Sequence, residues 1–387
     1  YFLKMMKAIE LFAGIGGFRL ACDDLGIDTI WANDIDKNAA KVYRQNFPKT
    51  IHIQDDIHAH ISEIPDHDLL TGGFPCQPFS SAGKKLGIND VRGTLFASIV
   101  EIINLKQPKF FVLENVKRLL SMDSGSHFSN ILNALSSIGY FIEWRLLNAT
   151  NFGLPQNRER VIITGYRIDN KEIRPRLLPK NDIININYIS LKKIYDFSKW
   201  IDFSKHKSKF KNWGCAYNGK FIDIDINDFS MSLPPKYLYQ ILEKNPDISF
   251  FFNEDTKKRI EESIEVNRYF NGVEIRYNQK GGARMGYSIF GVRGVAPTLT
   301  SSTSRHYERY EIDGAYRRLT NVEYARIQGF PDNHCRNISV YDQYVLFGNA
   351  VPPALVKWAI NQVTNTNGLG IDQIENIDDF KLTASSF

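Results

Sequence analysis

Residues 71–80 read TGGFPCQPFS, with two glycines and two prolines in ten positions. Proline removes a backbone donor and fixes φ, so this stretch excludes a helix interior and a central strand. Cys76 is therefore expected on a shaped loop. Just before it, Asp68-Leu69-Leu70 can close a buried strand, which would put Cys76 beyond a strand's carboxyl end, where open α/β sheets keep their ligands. A cysteine there is either a small buried hydrophobe or a reactive thiol, and its partners must decide.

The flanking sequence alternates strand and helix signals. Residues 7–12 (KAIELF) are an apolar strand running into Ala13-Gly14-Ile15-Gly16-Gly17, and Phe18, Ala21, Cys22 and Leu25 then repeat at helical spacing. Strand, glycine turn and helix form a nucleotide cradle, because glycines admit a ligand to the backbone and the helix start offers free N–H groups. Residues 29–33 (TIWAN) read as a second strand ending in Asp34-Ile35-Asp36. An acidic residue about 20 positions after a glycine turn suits ribose hydroxyls, and Asp34 fits this better than Asp36, which reads as an N-cap. Asp55-Asp56-Ile57 closes a third short strand near His52.

Residues 109–113 (KFFVL) form a buried parallel-type strand that ends in Glu114-Asn115-Val116. A carboxyl there is either a proton donor or a satisfied structural group. Residues 156–160 (QNRER) lead into a further apolar strand at 161–165. Arg158 and Arg160, at alternate extended positions, point the same way, which suits a phosphate or carbonyl oxygen in one pocket, or else a surface ion pair. The pattern is that of a doubly wound α/β domain to about residue 185.

Periodicity then breaks down, and 186–310 reads as a separate, irregular, mainly β domain. Residues 171–220 hold 12 Lys or Arg against 4 Asp or Glu, and 271–310 hold 6 against 2, which suits either a polyanion surface or plain solvated faces. Beyond it, Thr320 and Glu323 make a capping box for a helix within 317–328. A last amphipathic helix carries Leu355, Val356, Ala359, Ile360 and Val363 and is expected to return to the first domain. The four cysteines lie at least 54 positions apart, which excludes a CxxC motif and suits a reducing compartment. With no apolar run of membrane-spanning length and no signal-peptide core, a cytoplasmic location is expected. The chain opens at Tyr1, and Met5 or Met6 reads as a plausible start.

FAGIGG, GFPCQPFS, ENV, QNRER, RRLTNVEYARIQGFPD and FGNAVPP occur in this order. The set resembles the DNA (cytosine-5)-methyltransferases, above all the small bacterial enzymes of restriction–modification systems. The resemblance covers residues 6–167 and 316–363, and the region between corresponds to that family's variable target-recognition domain. It implies the S-adenosylmethionine-dependent methyltransferase fold, a doubly wound mixed and mostly parallel sheet, with a catalytic domain of residues 1–188 plus 336–387. A smaller, mainly β target-recognition domain of residues 189–335 completes it, and double-stranded DNA would lie in the cleft between them.

The same resemblance implies roles. Cys76 would add to carbon 6 of a flipped cytosine, Glu114 would hydrogen-bond ring N3, and Arg158 and Arg160 would contact the cytosine carbonyl and hold the catalytic loop. S-adenosyl-L-methionine would lie on Phe12 and the backbone of Gly14, Ile15, Gly16 and Gly17. Asp34 beside Ile35 would meet the ribose, Asp56 with Ile57 the adenine, and Pro75, Leu95, Asn349 and Ala350 the methionine end. No metal is implied. Many relatives carry Glu-Trp where this chain has Asp34-Ile35, which shortens the carboxylate and removes an aromatic partner of adenine. Loop 81–94 would close over the base, with Gln77, Ser80, Arg284, Met285, Arg293, Thr298, Leu299 and Arg305 meeting DNA. A monomer paired functionally with a restriction endonuclease is the expected biological unit.

Overall fold

The computed structural model describes residues 5–75, 95–168, 173–178, 182, 188–206, 208–226, 229, 232–279, 288–301 and 308–365. The first half is built from β1 (Lys7–Leu11), α1 (Gly17–Asp24), β2 (Asp28–Asn33), α2 (Lys37–Asn46), β3 (Ile51–Ile53) and β4 (Leu69–Gly73). It continues through α3 (Leu95–Lys106), β5 (Phe110–Val116), α4 (Ser126–Ser136), β6 (Tyr140–Asn148) and β7 (Glu159–Arg167). Strands β3, β2, β1, β4 and β5 lie side by side in that order and run parallel. The chain reverses direction across the sheet between β1 and β4, the switch point at which such sheets open a crevice.

Alternation along the strands feeds both faces. Val112 and Ile162 face a layer containing Phe18, Ala21 and Cys22 of α1, whereas Phe111, Leu113, Val161 and Ile163 face α3 and α4. The doubly wound α/β expectation holds. So does the return of the C-terminal helix, α9 (Pro353–Asn365): Leu355, Val356, Ala359, Ile360 and Val363 share the α1 layer.

Two local expectations need correcting. Thr71, Gly72 and Gly73 belong to β4, which lies centrally between β1 and β5. Glycine suits this strand because a Cβ on Gly72 would come within 3.0 Å of the Leu11 carbonyl oxygen. The sheet also runs past residue 188. After α5 (Tyr188–Tyr195), strands β8 (Ile201–Asp202), β9 (Trp213–Tyr217) and β10 (Lys220–Ile224) extend it as β5-β7-β6-β9-β10-β8, all antiparallel. Glu143 on β6 helps to hold this extension, since its buried carboxylate accepts from Trp213 Nε1 at 2.9 Å and from the backbone of Arg176 and Leu177.

The smaller sheet is formed by β11 (Ile264–Phe270), β12 (Val273–Asn278), β13 (Ser288–Phe290), β14 (Arg309–Ile312) and β15 (Ala315–Arg317), in sequence order, after the short α6 (Glu254–Glu261). Its core is continuous with α7 (Asn321–Gln328), α8 (Val340–Asn349) and Ile15, Ala39 and Val42 of the first half. The capping box of α7 is present, Thr320 accepting from Glu323 N and Glu323 from Thr320 N. No described helix is long and apolar enough to cross a membrane.

Candidate active site

The glycine turn between β1 and α1 is tightly folded. Phe12 has φ 52° and Gly14 φ 53°; a bulky residue held in the left-handed region is strained, and such strain gathers at functional sites. Gly17 is required for close approach, because a Cβ there would come 2.2 Å from the Val351 carbonyl oxygen of the loop between α8 and α9. Gly17→Ala is therefore expected to push this loop away and to weaken binding of S-adenosylhomocysteine, the product of the cofactor that the resemblance implies, by about tenfold or more, read by calorimetry.

The free N–H groups at the start of α1 are not all left for a ligand. The Glu10 carboxyl, fully buried on β1, accepts from the Phe18 and Arg19 backbone and from Tyr43 Oη at 2.9 Å. It replaces the missing side-chain cap at Gly16. Burial raises the Glu10 pKa from 4.5 to about 8. Between those values the unfolded chain gives up a proton that the folded chain keeps, so stability falls as pH rises through this window. Glu10→Gln should flatten that decline by on the order of 2 kcal/mol between pH 5.5 and 8, measured by urea unfolding.

A cavity of about 500 Å³ opens at the carboxyl ends of β1, β2, β4 and β5, lined by Phe12, Gly14, Asp34, Ile35, Asp56, Ile57, Pro75, Leu95 and Asn349, together with Glu114, Arg158 and Arg160. Ile15, Gly17 and Ala350 line a smaller adjoining space of about 180 Å³, shared with Glu10 and Glu114. Gly16 lines neither, since it backs onto the Phe47 ring. The Asp34 carboxylate ties the turn to β2, Oδ2 accepting from Gly14 N at 2.7 Å and Oδ1 from Asp36 N at 2.8 Å. Burial raises its pKa. Ile35 is 70% exposed at the rim of this cavity. Sequence reasoning missed Asn33, whose side chain donates to the Ile53 and Asp55 carbonyls and fixes the β2–β3 edge of the cavity. It also missed Glu10, which lies on a strand that reads as apolar.

At the other end, Glu114 and Arg160 face each other from the antiparallel pair β5 and β7, with Arg160 Nε donating to Glu114 Oε1 at 2.7 Å. Both side chains are about nine-tenths buried. Asn115 donates to the Phe74 carbonyl, which fixes the backbone leading to Pro75, the residue before Cys76. Arg158 differs from the expectation. It is only 2% exposed, and its guanidinium donates to the carbonyls of Leu299 (2.6 Å), Gly348 (3.0 Å) and Ala350 (2.9 Å). With those bonds made, Arg158 joins three segments and is a positioning residue, leaving Arg160 as the arginine paired with Glu114.

A family model for C-5 cytosine-specific DNA methylases matches residues 6–365. The chain belongs to this family. It is 31% identical to the type II methyltransferase M.Sau3AI of Staphylococcus aureus, covering 97% of this chain and 99% of that one. It is 30% identical to the type II methyltransferase M.HhaI of Haemophilus parahaemolyticus, with 90% and 91% covered. Over 163 residues, 42% of this chain and 51% of the relative, identity to the type II methyltransferase M.NgoBI of Neisseria gonorrhoeae reaches 50%. Among solved structures, a DNMT2 of Spodoptera frugiperda superposes with TM-score 0.62 at 19% identity, covering 92% of this chain and 99% of its own, which shows a shared fold.

For a cytosine-5 methyltransferase, the thiols and the residues expected to meet DNA are the remaining parts. Cys22, Cys215 and Cys335 are buried, and burial pushes their pKa values up, to about 12 for Cys22 and Cys335, so none is a nucleophile at neutral pH. Cys76, Gln77, Ser80, loop 81–94, Arg284, Met285 and Arg305 lie outside the described residues. Arg293 is exposed beside Val292 and Gly294. Leu299 does not meet DNA as expected: it is fully buried, its N–H bonded to Gln156 Oε1 and its carbonyl to Arg158. The Thr298 hydroxyl donates to the Asn157 carbonyl at 2.6 Å. The Thr-Leu pair thus fastens residues 298–299 to the segment before β7. Ser288–Phe290, which precedes them, is a buried strand.

Proposed function

We propose that this methyltransferase transfers the methyl group of S-adenosyl-L-methionine to carbon 5 of a cytosine flipped out of duplex DNA, through attack by Cys76. The observation that carries this reading is the Glu114–Arg160 pair, buried at the end of the same cavity whose other end is the glycine turn. Phe12, Asp34, Asp56 and the glycine backbone fit an adenosine, offering an apolar wall, a ribose acceptor and an acceptor for an exocyclic amine. The bound cofactor supplies an electrophilic methyl on a sulfonium.

The target base must leave the duplex to enter this cavity, at a cost of a few kcal/mol. Once there, the Cys76 thiolate adds to carbon 6, and the displaced electron pair moves toward N3. N3 takes a proton from the Glu114 carboxyl, which keeps negative charge from building on the ring. Arg160 holds Glu114 in place and lines the same space. Carbon 5, now an enamine carbon, would take the methyl group that the cofactor supplies. Loss of the carbon 5 proton to solvent, return of the N3 proton to Glu114 and departure of the Cys76 thiolate leave 5-methylcytosine, S-adenosyl-L-homocysteine and free enzyme.

Arg293 on the exposed edge of the recognition loop is assigned to the duplex, with Arg284, Met285 and Arg305 nearby in sequence. The type II names of the relatives favour an enzyme that protects DNA from a cognate endonuclease, and we take a monomer in the bacterial cytoplasm as its working unit. Bisulfite sequencing of plasmid DNA from cells expressing the chain tests this. Conversion-resistant cytosines at one short recurring site are expected. Uniform conversion, with methyl transfer to transfer RNA instead, would contradict the assignment.

A further inference from the structure

After β3 the chain turns through Asp55 and Asp56 into a single helical turn of residues 57–59. Asp56 Oδ1 accepts twice from His58, from its backbone N at 3.0 Å and from ring Nδ1 at 2.7 Å. Asp55, next to it, is bonded to His60 Nε2 at 3.0 Å, and His60 Nδ1 is bonded to Glu63 at 2.9 Å. Both aspartates line the large cavity. No donor among the described residues reaches Asp56 Oδ2.

We propose that His58 is a positioning residue for the adenine of the cofactor: it fixes Asp56 through Oδ1 and leaves Oδ2 as the acceptor for the exocyclic amino group. Asp56 needs such a brace because its side chain is more than half exposed and otherwise free to turn into solvent. A carboxylate held by two donors on one oxygen presents the other in a defined direction. The same two bonds to His58 lower the Asp56 pKa, which keeps the carboxylate ionised and able only to accept. Nδ1 must then carry the proton of the imidazole, and it does so in the neutral ring as well as in the charged one, so the brace needs no charge on His58. The inference rests on the reading of the cavity as the S-adenosylmethionine site.

Calorimetric titration of the full chain with S-adenosylhomocysteine and with S-inosylhomocysteine, whose base carries a carbonyl in place of the amine, tests it. His58→Ala is expected to weaken S-adenosylhomocysteine binding by about three- to tenfold and to leave S-inosylhomocysteine binding unchanged, so that the preference for adenine falls by the same factor. His58→Asn, whose amide can still donate, should restore most of that preference. In an Asp56→Ala background, His58→Ala should have no further effect. Equal loss for both compounds, or no loss for either, overturns the role of His58 while leaving the cofactor site in place. Failure of the unaltered protein to bind S-adenosylhomocysteine would overturn the cofactor reading itself, and the role of His58 with it.

Discussion

Glu114→Gln is expected to slow methyl transfer by about 10²- to 10⁴-fold, the range for losing a positioned general acid. The substitution keeps the shape of the side chain and an oxygen to accept from Arg160 Nε, at the 2.7 Å contact now made by Glu114 Oε1. What it removes is a proton that can pass to N3 of the base. The fold and the affinity for S-adenosylhomocysteine should therefore be retained, and the loss should appear in the single-turnover rate with DNA in excess. A variant that transfers methyl groups at the unaltered rate would remove Glu114 from the chemistry.

Arg158→Ala should act in the opposite way, through stability. Three carbonyls, those of Leu299, Gly348 and Ala350, lose their donor, and each buried acceptor left unpaired costs about 1–3 kcal/mol. A loss of about 3–5 kcal/mol is expected, visible as a Tm lower by about 5 °C or more. Arg158→Lys should recover only part of it, because an ammonium is a compact donor and not a planar fork. Since Gly348 and Ala350 flank Asn349 of the cavity, and Leu299 anchors the segment that carries Arg293, which we assign to the duplex, both cofactor and DNA affinity should fall together. The neighbouring Gln156 and Gln328 amides extend the same joint, Gln156 Nε2 donating to Gln328 Oε1 at 3.0 Å and Gln328 to the Phe347 carbonyl.

The contrast between Arg158 and Arg160 shows where sequence reading ends. Their i, i+2 spacing correctly brings both to one cavity, yet nothing local reveals that the carbonyls waiting for Arg158 lie 141 to 192 positions further along the chain. The apolar run into Glu114, the capping box at Thr320 and the face of α9 were legible because each depends on neighbours within a few residues. Strands β8 to β10 were not. Their hairpin signal is present, Asn218 and Gly219 both with positive φ as a tight hairpin turn requires, but it sits in a Lys- and Asn-rich stretch with little alternation. Its place in the large sheet depends on β9 pairing with β6 and on Trp213 reaching Glu143. The glycines of β4 misled for a related reason, since their value lies in the closeness of Leu11, which only the folded sheet displays.

The central claim is that a thiolate of this chain bonds to carbon 6 of an extruded cytosine, and that Cys76 is its source. The buried state of the other three cysteines sharpens the test. Incubation of the protein with S-adenosylmethionine and a duplex carrying 5-fluorocytosine at the methylated site blocks loss of the carbon 5 substituent, so the adduct should persist. Denaturing electrophoresis and peptide mass spectrometry should show one DNA strand joined to the peptide containing Cys76, and Cys76→Ala should show none. A stable adduct on Cys22, Cys215 or Cys335, or methyl transfer by Cys76→Ala without any adduct, would contradict the account.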